Sequence, residues 1–238
     1  MQIFVLGTGR SGTHWIGNLL ASHPDVNATI ESRGVFQVAT QAAIRSRSRR
    51  YLLPVLRAFY AVQSRRARPQ HYADKSHPVI WYAETLGDWF PEARFVAVER
   101  SPFGTVASML RHSGVSRWQV DWRRYGVPNR FLGIDEENAS AYDDMTPAEQ
   151  AALRWKSHHE RLAELRECLG SRLHVVRYEA LTDDYHSELE DLWEFLSLPN
   201  IDVPEHRPTS SSRDAWRGHL TAQQCREIST VTGVEVPR

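Results

Sequence analysis

One stretch constrains this chain more than any other. The apolar run Ile3-Phe4-Val5-Leu6 ends in Gly7-Thr8-Gly9-Arg10-Ser11-Gly12-Thr13, and a helical pattern follows with Trp15, Ile16, Leu19 and Leu20 on one face. An unbroken apolar run bounded by glycine reads as a strand buried on both sides, as in a parallel sheet. A glycine-rich turn from such a strand into a helix aims backbone N–H groups at one point, and the helix start adds unpaired donors and partial positive charge. That geometry suits a phosphate.

The same alternation continues. The pattern predicts a helix over 13–22, a short strand over 27–31, a helical region over 35–66, a strand end at 71–75 and a helix over 78–90. It then predicts a strand at Phe95-Val96-Ala97-Val98, a helix over 102–112, loops and short helices over 114–146, and a helix from Thr146-Pro147-Ala148-Glu149 to about residue 169. A strand over 173–176, a helix over 184–196, a Pro/Ser-rich loop from Pro199 to Ser212 and a last helix capped at Thr221 complete the chain. Strands separated by helices imply βαβ units with right-handed crossovers. The expected architecture is α/β, a single P-loop-like domain over residues 1–238 with a central parallel sheet flanked by helices. Ligands in such sheets bind at the carboxyl ends of the strands.

Composition narrows the function. The 29 basic and 29 acidic side chains cancel, so bulk charge does not suggest a nucleic-acid partner. No apolar run reaches the ~18–20 residues of a membrane span, and the start of the chain lacks a basic segment and cleavage site, so a cytoplasmic location is expected. The two cysteines, Cys168 and Cys225, form no disulfide framework or metal motif. Of the 29 basic residues only Lys75 and Lys156 are lysines, which leaves 27 arginines. A lysine kept against that bias is a candidate for a task that needs a compact point charge rather than a planar fork.

The turn admits two nucleotide readings. Gly7…Gly12 fits the front of a Walker A loop, but Thr13-His14 stands where that loop requires Lys and Ser/Thr. The residues also spell G-x-G-x-x-G with Glu31 at 19 positions beyond Gly12, a dinucleotide fingerprint that would make the chain a nicotinamide-dependent oxidoreductase. A second anion site favours a different answer. Arg100 ends the 95–98 strand and Ser108 lies two turns into the next helix, so a guanidinium fork and a hydroxyl are available for a further phosphate. Two separated anion sites suit a nucleotide phosphorylated at two ends of its ribose.

Taken together, these motifs resemble those of the sulfotransferase superfamily that uses 3′-phosphoadenosine 5′-phosphosulfate (PAPS). The segment from Gly7 to Trp15 looks like its 5′-phosphosulfate loop, and the segment from Phe95 to Arg111 looks like its 3′-phosphate motif. Asp74-Lys75-Ser76-His77-Pro78 resembles the lysine motif between them, Val176-Arg177-Tyr178-Glu179-Ala180-Leu181 resembles the later strand-end motif, and Trp216-Arg217-Gly218-His219-Leu220 is a weak match to a C-terminal cofactor segment. The resemblance implies that Gly9, Arg10, Ser11, Gly12, Thr13 and His14 hold the 5′-phosphate, that Arg100 and Ser108 hold the 3′-phosphate, and that Trp15 and Tyr178 flank the adenine. It implies that Trp216 and Arg217 close over the nucleotide, that Arg10 and Lys75 supply catalytic charge without a metal, and that either Glu31 or His77 is the general base. Arg10 stands where many members carry lysine, and His14 where threonine is common. A non-catalytic nucleotide-binding module is a third possibility. The acceptor would be a small molecule, carbohydrate or lipid-like compound; Arg45, Arg47, Arg49 and Arg50, with Arg65, Arg66 and Arg68, suggest a basic platform for it, and Trp81, Trp118 and Trp122 suggest a pocket lining.

Overall fold

The computed structural model describes residues 1–203 and 213–237. Strand β1 (Gln2–Gly7) leads through the glycine turn into α1 (Thr13–Ala21). Next come β2 (Val26–Ile30), α2 (Arg33–Ile44), α3 (Ser46–Arg66) and β3 (His71–Lys75). A 3₁₀ turn at His77–Tyr82 precedes α4 (Ala83–Trp89), β4 (Arg94–Glu99), α5 (Pro102–Leu110) and α6 (Ser113–Val120). After a long irregular stretch the chain forms α7 (Pro147–Leu169), β5 (Leu173–Arg177), α8 (Tyr178–Asp183), α9 (Tyr185–Leu196) and α10 (Ala222–Thr232).

The five strands make one parallel sheet in the order β2-β3-β1-β4-β5. This order removes the dinucleotide reading. In that fold the second strand lies beside the first, whereas here β3 separates them. Strand β1 is central, and Ile3, Phe4, Val5 and Leu6 are fully buried. Their alternation sorts them: Phe4 and Leu6 pack with α2, α3 and α7, while Ile3 and Val5 pack with α1 and α9. Burying each such side chain is worth ~1.5–3 kcal/mol, which holds the turn at residue 7 on a rigid base.

Two expectations change. The segment read as one helix over 35–66 is two, divided at Arg45, whose backbone is extended (φ −120°, ψ 86°). Arg49 then folds back, its Nε donating to the Ala42 carbonyl at 3.0 Å, so it caps α2 and does not present charge outward. Pro54 lies inside α3 without ending it. The helix expected over 78–90 begins as a 3₁₀ turn, with His77 and Pro78 buried at its start. The predicted loop from Pro199 to Ser212 lies, from residue 204 onward, outside the described residues. Among the described residues no helix is long and apolar enough to cross a membrane.

Candidate active site

Lys75 ends β3 and faces one cavity, and the residues that directly follow β2, β4 and β5 (Glu31, Arg100 and Tyr178) face it too, as does the turn after β1. The cavity holds about 370 Å³ and is lined by Gly9, Arg10, Gly12, Thr13, His14, Trp15, Glu31, Lys75, His77, Arg100, Ser108 and Tyr178, with further residues from α2, α6 and α7. The parallel register explains the convergence. Ile30 pairs with Lys75, so the chain leaving β2 puts Glu31 beside the end of β3, and the Glu31 amide donates to the Lys75 carbonyl at 3.0 Å.

The glycine turn is built for close approach. Gly12 adopts φ +105° and begins α1, whose first turn carries no acidic residue and no side-chain cap among the described residues. A Cβ on Gly12 would come within 2.6 Å of the Tyr178 ring, so only glycine fits. Ser11 is buried and donates to the carbonyls of Thr8 (2.7 Å) and Val98 (3.3 Å). Its hydroxyl braces the turn against β4 and does not line the cavity. Arg10 has φ +80° and is exposed; its Nε donates to Ser108 Oγ at 3.2 Å, and its carbonyl lies 3.5 Å from Arg100 Nη1. The Arg100 guanidinium lies 4.1 Å from the Tyr178 ring centroid. The two separated anion motifs of the sequence therefore meet side chain to side chain.

Between them sits an ionic cluster. Lys75, 3% exposed, donates to Glu31 Oε1, and the His77 Nδ1 lies 3.2 Å from the same oxygen. His14 Nδ1 is 3.0 Å from Lys75 Nζ and 3.9 Å from Glu31 Oε2. Burial acts to raise the Glu31 carboxyl, but the His77 hydrogen bond and the Lys75 charge outweigh it and hold the group down at about 2. Burial pushes His77 down to about 4 and lowers Lys75, with Glu31 opposing both shifts. At neutral pH Glu31 is thus ionised and His77 neutral. Donation from His77 Nδ1 to Glu31 leaves Nε2 as the lone-pair nitrogen. That atom is buried, without a partner among the described residues, and a Cβ on Gly9 would meet it at 2.9 Å. Glu31 is 25% exposed, against 3% for Lys75 and 7% for His77.

Trp15 lines the cavity and meets Tyr185 edge-on, ring centroids 6.2 Å apart. Trp216 and Arg217 do not line it: Trp216 packs on Phe103 at 5.2 Å, and Arg217 stacks on Trp216. Of the three tryptophans proposed for a pocket, Trp118 reaches this cavity. Sequence reasoning passed over Phe36, His112, Val115 and Arg154, which complete the wall. The signal for Arg154 was present: it occupies the apolar face of α7 defined by Ala151, Trp155, His158 and Leu162, where a charge is out of place.

Solved structures share this fold at low identity. The sulfotransferase domain from the curacin biosynthetic pathway is similar with a TM-score of 0.61 and 17% identity, covering 99% of this chain and 98% of that one. The sulfotransferase domain of the Synechococcus PCC 7002 olefin synthase gives 0.57 and 16%, covering 100% and 96%. The sulfotransferase from Alicyclobacillus acidocaldarius gives 0.53 and 14%, covering 98% and 96%. A search of curated proteins finds no match. The model of the sulfotransferase family matches residues 2–202, from the first residue of β1 to beyond α9, and on that match this chain belongs to the sulfotransferase family.

Proposed function

We propose that this protein moves the sulfuryl group of PAPS to a hydroxyl or amine on a small-molecule, carbohydrate or lipid-like acceptor. The observation that carries this reading is the shared cavity: the glycine turn, the Lys75–Glu31 pair and the Arg100–Ser108 pair all open onto it. The residues fit the donor. The unpaired amides at the start of α1 suit the 5′-phosphate, Arg100 and Ser108 suit the 3′-phosphate, and Trp15 and Tyr178 offer aromatic faces for the base. The donor supplies a sulfur centre with a phosphate leaving group.

The protein's own groups then have distinct tasks. Glu31 takes the acceptor's proton as its oxygen or nitrogen bonds to sulfur, and the breaking S–O bond leaves its electron pair on the 5′-phosphate. Lys75 and Arg10 neutralise charge on the transferring group and on that phosphate, which is the work a metal does elsewhere. His77 orients Glu31 through Nδ1. The two assignments are linked: when Lys75 turns to the donor, Glu31 loses a partner that keeps it acidic and becomes a stronger base. The partly exposed carboxylate favours Glu31 over the enclosed His77.

A labelled-sulfate transfer assay from PAPS over hydroxyl and amine acceptors tests the activity, and melting-temperature shifts with 3′-phosphoadenosine 5′-phosphate (PAP), NAD, NADP and ATP test the nucleotide. Glu31→Gln is expected to lower turnover by ~10²–10⁴-fold with PAP affinity within about threefold of wild type. His77→Asn is expected to cost about tenfold. Full turnover in Glu31→Gln would remove it as the base.

A further inference from the structure

The wall of the cavity contributed by α6 and α7 holds a buried charge with no counter-charge among the described residues. Arg154 is 1% exposed and lines the cavity, and none of its three guanidinium nitrogens has a hydrogen-bond partner among the described residues. Its Cζ lies 5.0 Å from the Trp118 centroid and 4.7 Å from the Phe131 centroid, and those two rings are themselves in edge contact, centroids 5.2 Å apart, so both lie to one side of the guanidinium. Neither ring accepts a conventional hydrogen bond, so the N–H groups of the fork are left for another acceptor. Five donors in a dry site without acceptors are costly, and buried charges are otherwise paired. On the same wall His112 also has a buried Nδ1 without a partner among the described residues.

Building on the sulfotransferase reading, we propose that Arg154 is the anchor for a carboxylate on the acceptor, so that the substrate class is hydroxylated carboxylic acids with an apolar skeleton. A carboxylate matches the guanidinium edge with two parallel hydrogen bonds. A monoanion also balances the single charge, whereas a phosphate ester would bury a second negative charge uncompensated. The skeleton follows from the rest of the wall, where Phe36, Val115 and Trp118 offer apolar surface. Phe36 reaches the ionic cluster directly, its ring 5.4 Å from that of His77. An acceptor seated on Arg154 therefore runs along apolar side chains toward Glu31 with its hydroxyl leading.

The test pairs each acid with its methyl ester, so that the nucleophile is unchanged. Hydroxybenzoates, hydroxyphenylpropionates and aliphatic ω-hydroxy acids, each beside its ester, are assayed for sulfate transfer with wild type and Arg154→Met. Wild type is expected to prefer at least one acid over its ester by about 10–100-fold in kcat/KM, mainly through KM. Arg154→Met is expected to bring that ratio within about threefold while binding PAP as wild type does. A second measurement needs no turnover: 3-hydroxybenzoate should raise the melting temperature of wild type but not of Arg154→Met, and its methyl ester should raise neither. Without ligand, Arg154→Met should melt no lower than wild type, because it removes an uncompensated buried charge. Equal use of acids and esters by wild type, a preference that survives Arg154→Met, or a marked loss of stability in that variant would overturn the assignment. If PAP fails to bind and no acceptor is sulfated, the sulfotransferase reading falls instead, and the 3-hydroxybenzoate shift still decides whether Arg154 holds a carboxylate.

Discussion

Replacing Gly12 by alanine isolates the contribution of the turn. Two costs can be worked from the structure. The residue sits at φ +105°, a region an L side chain adopts only with strain of ~1–2 kcal/mol. The new Cβ would also come 2.6 Å from Tyr178 Cδ2 and 3.1 Å from its Cε2, well inside contact distance. Such overpacking costs ~1–3 kcal/mol. A total near ~3 kcal/mol corresponds to a melting temperature lower by roughly 6–12 °C for a chain of this size. The loss should extend to the nucleotide, because Tyr178 carries Arg100 on its face and neither can keep its place if the ring retreats. Thermal melting followed by titration with PAP reads both effects. Gly34→Ala is the control: a Cβ there has open space, and near the start of α2 alanine gains up to ~1 kcal/mol of helix propensity. If Gly12→Ala melted within 1–2 °C of wild type and bound PAP equally, the close approach of turn and ring would not be a constraint on this protein.

Lys75→Arg should reduce sulfate transfer by more than ~100-fold and lower stability by ~1–3 kcal/mol. The lysine stem lies against bare Gly17, where an added Cβ would meet Lys75 Cγ at 2.9 Å, so a wider head group has no room to be repositioned; a steady-state assay that found most of the activity retained would refute this. Asp74 gives a pH-dependent prediction. It is fully buried, Tyr60 donates to its Oδ2 at 3.2 Å, and burial pushes its carboxyl up to about 7. Unfolded, it titrates near ~4. Between those values the folded chain keeps a proton that the unfolded chain has lost, so this contribution to stability is present at low pH and lost as pH rises through about 7. Asp74→Asn should therefore gain on wild type as pH rises from 4 to 8 in urea melts, and a difference independent of pH would contradict the assignment.

Much of this was legible in the chain itself. The run Ile3–Leu6 and the run Phe95–Val98 announced buried parallel strands, and Gly7 to Gly12 announced the tight turn into α1, because glycine and unbroken apolar character are local signals. The pairing of β2 was harder to read. Asn27-Ala28-Thr29 lacks the character of a core strand because β2 lies at the sheet border and is half-buried. The same fact hid the Glu31–Lys75 pair, which depends on a register between strands 44 residues apart in sequence. Ser11 looked like a phosphate ligand from its place in the loop, yet its hydroxyl turns inward to backbone carbonyls that only the folded β4 supplies. Arg154 was visible only as an anomaly of periodicity, and its meaning required the rings of Trp118 and Phe131, 36 and 23 positions away.

The position of β2 carries one more consequence. Its outer side has no neighbouring strand among the described residues, so β2 is held in the sheet from a single side, by β3. Strands held from one side fray at lower free energy than central ones. Glu31, the proposed base, hangs from the tip of that border strand, while the turn proposed for the phosphate springs from the buried central strand β1. Under mild denaturant the protein should therefore stop turning over while it still grips its nucleotide, a separation in which catalysis is the first property to fail and recognition the last.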